Sequence, residues 1–278
     1  MADTSSAEAP ANGYLPHLFL FTLPVRPTPG QEVFLRPGLR IDLKLTASPV
    51  HGVPHGSDRM ILLLLSTYAV LQASPEVDLG PAGRILAFFG LKPDGRNYER
   101  LAQRFERVLG STYEFTFRPN APEESTRLRT IPLCAESRLW YRRETAGTGS
   151  FRNAVSLSPE FWEEVRRSTV VVPLQPYRAL LDSPGNLDLY LWLLAQSQLV
   201  RPGRYVKVPI TGEASLAMRL GAKQYAQDRD FRRKARTWLR RILHLWPECP
   251  AAITSDHSNL VVSYSGLGKA KPGPEHVH

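Results

Sequence analysis

Cysteine and long apolar runs are scarce in this chain of 278 residues. The two cysteines, Cys134 and Cys249, lie far apart and match no metal-ligand spacing such as CxxC, and a reduced, cytosolic setting fits this usage. The most apolar run, residues 60–65, is far shorter than the roughly 20 residues that cross a bilayer. The first residues are acidic and lack the positive segment that opens a secretion signal. We therefore expect a cytoplasmic protein without a membrane segment.

Motifs of common enzyme classes are also missing. There is no GxxxxGK[ST] loop, no GxGxxG after a strand, no HExxH and no GxSxG. The His-x-His pair that DNA-nicking initiators use occurs only as His276 and His278, past the last predicted strand. His51 and His55 are four residues apart, but the glycines and proline around them break any helix that would align them as ligands. We expect no enzymatic activity, no metal site and no other cofactor.

The charge balance points to an acidic partner. Lysine and arginine number 35 against 26 aspartates and glutamates, which gives a formal net charge of +9. A basic chain of this kind attracts acidic polymers or surfaces, although many basic proteins bind no nucleic acid. Hydrophobic residues make up 42% of the chain, which is ample for packed cores. The length suits one large or two small domains, and we predict two.

The periodicity of apolar residues predicts an order of helices and strands that occurs twice. The first half is predicted to hold helices at about 58–73, 81–89 and 96–109, a short extended piece at 76–79, and strands at 111–118 and 130–142. The second half is predicted to hold helices at 174–181, 184–199, 213–220 and 222–246, with strands at 205–210, 251–254 and 259–264. Three helices followed by a β-hairpin is the plan of a winged helix, which is a helix-turn-helix with a wing.

We therefore predict an α+β fold with two tandem winged-helix domains, residues 41–158 and 159–265. An extended arm, residues 14–40, is predicted to lie on the body of the protein, because prolines interrupt its apolar sequence. Residues 1–13 and 266–278 are predicted to be disordered tails, since they hold too little apolar surface to offset the entropy of ordering.

The predicted helix over 222–246 carries the clearest functional signal. Its apolar residues, among them Phe231, Trp238 and Ile242, form one stripe, and guanidinium groups cover the opposite face. A row of guanidiniums suits phosphates and the acceptor atoms of guanine in the major groove of DNA. A solvated basic face is the alternative, and Tyr225 fits core packing equally well. The candidate DNA contacts are Lys223, Gln224, Tyr225, Arg229, Arg232, Arg233, Arg236 and Arg240.

The third predicted helix of the first half offers corresponding contacts. They are Arg96, Asn97, Arg100 and Arg104. In the alternative interpretation, these arginines pair with glutamates of the same helix one turn away and stay on a solvated face.

Several stretches together resemble the RepA-type plasmid replication initiators. They are GVPHGSDRMILLLLSTYAV at 52–70, VDLGPAGRILAFFGL at 77–91, AVSLSPEFWEEV at 154–165 and SPGNLDLYLWLLAQS at 183–197. The proline-rich opening LPHLFLFTLPVRP, the Phe-Arg-Arg helix and the Trp-Pro that ends it extend the likeness over about residues 14–264. The sequence departs from many relatives in the loop 118–130 and in the ending GKAKPGPEHVH.

The resemblance implies two winged-helix domains that bind repeated origin sequences, called iterons, in duplex plasmid DNA. It also implies opening of neighbouring A·T-rich DNA, recruitment of the host replicative helicase and initiator, and an equilibrium between monomers and homodimers. One rival is a winged-helix transcriptional repressor without initiator activity. Another is a protein-interaction module whose basic helix docks on an acidic partner.

Overall fold

The computed structural model of the chain describes residues 10–27, 30–119, 125–139, 153–221 and 227–267. Helices and strands are interleaved along the chain, which confirms the predicted α+β class. The helices are α1 (Arg59–Gln72), α2 (Ala82–Phe88), α3 (Gly95–Leu109), α4 (Pro159–Arg167), α5 (Leu174–Ala179), α6 (Pro184–Leu199), α7 (Leu216–Arg219) and α8 (Asp228–Leu245). Short 3-10 turns cover His17–Phe19 and Gly56–Asp58.

The strands fall into four antiparallel sheets. They are β1 (Asn12–Pro16), β2 (Val33–Arg36), β3 (Ile41–Thr46), β4 (Glu76–Gly80), β5 (Thr112–Phe117), β6 (Arg127–Pro132), β7 (Cys134–Arg138), β8 (Asn153–Leu157), β9 (Thr169–Pro173), β10 (Tyr205–Pro209), β11 (Ala251–Ile253) and β12 (Asn259–Ser263). The sheet orders are β1-β9, β2-β3-β5-β6, β4-β8-β7 and β10-β12-β11.

Two helices that are apolar on nearly every side form the centre of the protein. Residues 60–65 of α1 are at most 1% exposed, and α6 is buried over almost its whole length. A helix with apolar residues all round must be enclosed by other elements. The buried apolar side chains of both halves belong to one contiguous cluster, so the two predicted domains share a core.

The two halves have the same order of elements. The first half runs α1, β4, α2, α3, and then, after an insertion, β7 and β8, with a sheet in the order β4-β8-β7. The second half runs α6, β10, α7, α8, β11 and β12, with a sheet in the order β10-β12-β11. In each sheet the third strand lies between the first and the second. The recurrence that the apolar pattern predicted is therefore present in the topology.

The predicted strand pair of the first half needs correction. β5 pairs with β6 from Thr112↔Pro132 to Phe117↔Arg127, inside a four-stranded sheet that β2 and β3 complete. The chain leaves this sheet at Pro132, where proline has no N–H for a ladder hydrogen bond. Beyond the buried Leu133 it enters a different sheet as β7. In its described part, the single strand predicted over 130–142 is thus two strands of separate sheets, and residues 140–142 lie outside the described residues.

The predicted N-terminal arm is also corrected. β1 pairs antiparallel with β9, from Asn12↔Pro173 to Pro16↔Thr169, and therefore begins inside the predicted tail of residues 1–13. Leu15, Phe19, Leu20 and Leu23 are buried. Because β2 is part of the four-stranded sheet, the described residues of 14–40 are built into the fold and do not form a separate arm. The sequence analysis missed β9, whose Thr-Val-Val-Val run is buried on both faces.

Buried charges join the two halves. Arg59 of α1 places Nη2 3.0 Å from Oδ1 of Asp188 in α6, with side chains only 4% and 1% exposed. Arg59 also donates to the carbonyl of Leu23 at 3.1 Å. Arg36 of β2 donates to the carbonyl of Arg219 at 2.8 Å, and burial lowers the pKa of Arg36 to about 10. Burial raises the pKa of Asp188, while Arg59 and Arg36 oppose that rise.

A charge in the middle of α1 is expected to prevent folding. In Leu63→Asp the carboxylate would replace a fully buried side chain without a partner, at a cost of several kcal/mol. We expect the variant to lose the cooperative urea transition that circular dichroism detects in the parent protein. Leu71→Asp, on the same helix at 52% exposure, should remain close to the parent stability. A stable Leu63→Asp protein would show that α1 is not central.

Removing the buried carboxylate at the junction should also be strongly destabilising. In Asp188→Ala the Arg59 guanidinium remains buried without its partner, which is expected to reduce the free energy of unfolding by about 3–5 kcal/mol. Urea unfolding is the measurement. Asp182→Ala removes a carboxylate that is 75% exposed from the same region and should change stability by less than about 1 kcal/mol. Equal effects of the two substitutions would contradict the role of the buried pair.

Candidate nucleic-acid interface

Helix α8 is fixed to the body of the protein through its apolar face. Phe231, Trp238 and Ile242 on this face are buried, and α8 packs against α6. Gly185 in the first turn of α6 allows this close approach, since a Cβ there would lie 2.6 Å from Cζ2 of Trp238. Trp246 then packs edge-on against Tyr190 with ring centroids 6.0 Å apart. The exposed face of α8 is therefore presented on a rigid support.

A row of four arginines lies along the outward face of α8, and we call it the arginine row. Its members are Arg229, Arg233, Arg236 and Arg240, and the helical repeat of 3.6 residues places them on one side. Within the described residues, the side chains of Arg229, Arg236 and Arg240 form no hydrogen bond or ion pair. The Arg233 side chain is 77% exposed, and its Nη2 lies 3.4 Å from Oδ1 of Asp230, one helical turn away. Arg229, Arg233 and Arg240 are exposed and available for an anionic partner, whereas Arg236 is half-buried.

The other candidates near α8 are placed differently. Nε of Arg232 donates to Oγ1 of Thr211 at 3.0 Å, which turns this side chain away from the arginine row toward the loop after β10. Lys223, Gln224 and Tyr225 lie outside the described residues. The helix begins at Asp228, six residues later than predicted, so Arg229 belongs to its first turn. Asp228 and Asp230 in that turn complement the positive end of the helix dipole.

The tip of the hairpin between β11 and β12 carries a fixed negative charge. Asp256 accepts hydrogen bonds from the hydroxyls of Ser258 and Thr254, both at 2.5 Å, and from the Ser258 N–H at 3.1 Å. These bonds hold the pKa of Asp256 well below its usual range. An ionised carboxylate repels phosphate, so any DNA contact of this hairpin should come from its strands and not from its tip.

Two of the four candidates on α3 are used in the structure itself. The side-chain amide of Asn97 donates to the carbonyl of Lys92 and to the carboxylate of Asp94, which also caps the helix. Arg104 donates to Oγ of Ser57 at 2.9 Å, and its Nε lies 3.6 Å from Oδ1 of Asp58. Both side chains therefore have structural partners on the protein.

The remaining two candidates on α3 face solvent. The side chains of Arg96 and Arg100 are exposed and form no hydrogen bond or ion pair with the other described residues. The alternative of pairing along α3 is not seen there, since Glu106 lies beside His51 at 3.6 Å. The sequence analysis missed Asp58 as a partner, because it lies 49 residues from Arg107, whose Nε and Nη2 bind its carboxylate at 2.7 and 2.9 Å.

Other kinds of site find no support in the described part of the chain. None of its helices is long and apolar enough to span a membrane. The same residues include no group of three or more histidines, cysteines, aspartates or glutamates placed to hold a metal ion.

Comparison with known proteins supports the fold and not a family. No protein-family model matches the chain, and no curated protein is similar to it in sequence. Two crystal structures of domains 2 and 3 of RctB share its fold. The selenomethionine derivative gives a TM-score of 0.53 at 14% identity, over 81% of this chain and 83% of that chain. The other gives 0.52 at 14% identity, over 88% and 86%. At this identity the likeness establishes a shared fold, and the RepA-type resemblance stays a prediction.

Proposed function

We propose that the protein is a replication initiator that binds repeated origin sequences in duplex DNA. The observation that carries this proposal is the arginine row, because three of its four guanidiniums have no partner among the described residues. Opening of nearby A·T-rich DNA, recruitment of the host replicative helicase and initiator, and a monomer–homodimer equilibrium belong to the same proposal. The place of action is the bacterial cytoplasm, and no catalytic step is assigned to the chain.

The order of elements supports two winged-helix domains. In a winged helix, the third helix enters the major groove and the strands after it form the wing. α3 and α8 occupy this position in their halves, and each presents exposed arginines. Helix-turn-helix proteins use this geometry to bring a few side chains to base edges while others hold phosphates.

The shared fold with RctB supports the initiator role over a repressor. RctB is a replication initiator of a Vibrio chromosome, and the structures of its domains 2 and 3 are matched over most of their length. The RepA-type stretches quoted above provide a second line of support. A repressor with the same domains would bind DNA equally well, so the two functions differ in the arrangement of sites and in the effect on the DNA.

The arginine row suggests a division of tasks along α8. Arg229 and Arg233, nearest the helix N-terminus, are proposed to reach O6 and N7 of guanine. Arg236 and Arg240 lie further along and are proposed to hold phosphates. Because the opposite face of α8 packs on α6, the helix that carries the row is already held in place before DNA binds.

A footprint on the plasmid or chromosome that encodes the protein tests this function. It should be made at near-physiological salt with competitor DNA present. Protection of several direct repeats beside an A·T-rich stretch, with permanganate reactivity in that stretch, is expected for an initiator. Protection of a single inverted repeat upstream of its own gene would identify a repressor. Binding without sequence preference would contradict both and favour docking on an acidic partner.

Loss of one guanidinium from the row should weaken binding measurably. Because Arg236 is proposed to hold a phosphate, we expect Arg236→Ala to reduce the magnitude of the slope of log K against log salt by about one. A loss of about 1–3 kcal/mol that depends on the DNA sequence would show instead that the side chain reads a base. Fluorescence anisotropy over a salt series measures both quantities. Arg166→Ala removes the same charge from the exposed face of α4 and should alter neither. An unchanged affinity and slope in folded Arg236→Ala would remove this residue from the interface.

A further inference from the structure

A cleft of about 380 Å³ lies where the two halves meet. One wall is the outward face of α3, with Arg100, Gln103, Arg104 and Arg107, and the 3-10 turn at Gly56–Asp58 forms part of the lining. The chain segment before α6, with Asp182, lies on the other side. The volume is within the range of small-molecule pockets.

The α3 wall of the cleft has more positive than negative charge. Arg107 binds the carboxylate of Asp58 through two nitrogens, and Arg104 lies 3.6 Å from the same carboxylate. One buried carboxylate therefore faces two guanidiniums. Arg100 adds a third cation that has no partner among the described residues. Asp182 on the opposite side is 75% exposed and is already 3.1 Å from Arg241 of α8.

The arginines are close enough to affect one another. Burial lowers the pKa of Arg104, and the charges of Arg107 and Arg100 lower it further, against the opposing effect of Asp58. A bound anion would reduce this repulsion. Guanidinium groups match the oxygens of phosphate in pairs, and the amide of Gln103 and the hydroxyl of Ser57 supply additional donors. The donor set fits a phosphate group, whose several oxygens accept from more than one side chain at once.

We propose that this cleft binds a phosphate group, with Arg100 as its direct ligand and with Arg104 and Arg107 held in place by Asp58. The source that the position favours is a phosphate of the DNA backbone, because Asp182 and Arg241 connect the cleft to α8 while α3 forms its other wall. This assignment of the source rests on the proposed function. The phosphate site itself does not.

Titration with inorganic pyrophosphate tests the site without DNA. Isothermal titration calorimetry at low ionic strength is expected to show binding to the parent protein, and Arg100→Ala should weaken it by at least about tenfold. Asp182→Asn should tighten it, since a carboxylate near the anion is removed. Arg40→Ala, an exposed charge change on the turn between β2 and β3, is the control and should have no effect. Thermal unfolding confirms that each variant is folded.

A second titration with DNA identifies the source of the phosphate. If the cleft holds a backbone phosphate, Arg100→Ala should reduce the magnitude of the slope of log K against log salt for origin binding by about one. Arg40→Ala should leave this slope unchanged. If Arg100→Ala loses pyrophosphate binding but keeps the salt slope of the parent protein, the cleft is assigned to a free phosphorylated ligand. If Arg100→Ala changes neither pyrophosphate binding nor the salt slope, the proposal is overturned. If the parent protein binds no DNA, the proposed function fails, while the pyrophosphate titration still decides on the cleft.

Discussion

The buried ion pair between Arg59 and Asp188 is the interaction that joins the central helix of the first half to that of the second. α1 and α6 are apolar on nearly every side, and apolar contact alone favours many relative placements of two such helices. An ion pair in the core is stable only where both partners meet with their remaining hydrogen bonds satisfied. Arg59 meets this condition by donating to backbone carbonyls as well as to Oδ2 of Asp188. Asp188 meets it only in part, because its Oδ1 lies 3.0 Å from Nη2 of Arg59 but accepts no hydrogen bond from the described residues. The pair thereby joins α1 of the first half to α6 of the second at one defined point.

Arginine has two different tasks in this protein, and the net charge does not distinguish them. Arg36, Arg59 and Arg107 are bound by carbonyls or carboxylates and hold elements together. Arg178 of α5 likewise donates to the carbonyl of Phe88 at the end of α2, at 2.7 Å. These side chains contribute to the formal charge but offer little to a partner. The members of the arginine row lie at the surface of a well-supported helix, and there the same chemistry remains available for phosphates and bases.

Local pattern predicted the helices well and the long-range pairings poorly. The bounds of α6, Pro184–Leu199, agree with the prediction, because Ser183, Pro184 and an unbroken apolar run mark them locally. The partner of β1 lies more than 150 residues away in β9, and no pattern within Asn12–Pro16 encodes it. The same limit applies to the candidate site. The spacing of the arginines on α8 is visible in the sequence, whereas the engagement of Arg104 with Asp58 depends on tertiary structure.

The two halves share a topology but differ in how the side chains of their third helices are engaged. On α3, Asn97 is held by the helix cap, Arg104 and Arg107 share Asp58, and two exposed arginines remain. On α8 the members of the arginine row are either unpaired within the described residues or held by a single exposed neighbour. When a guanidinium leaves a buried carboxylate to bind a partner, that carboxylate remains buried without a counter-charge, which costs free energy. A guanidinium that has no such partner carries no such cost. The exposed guanidiniums of α8 are therefore free of the structural cost that Arg104 and Arg107 of α3 would carry in leaving Asp58.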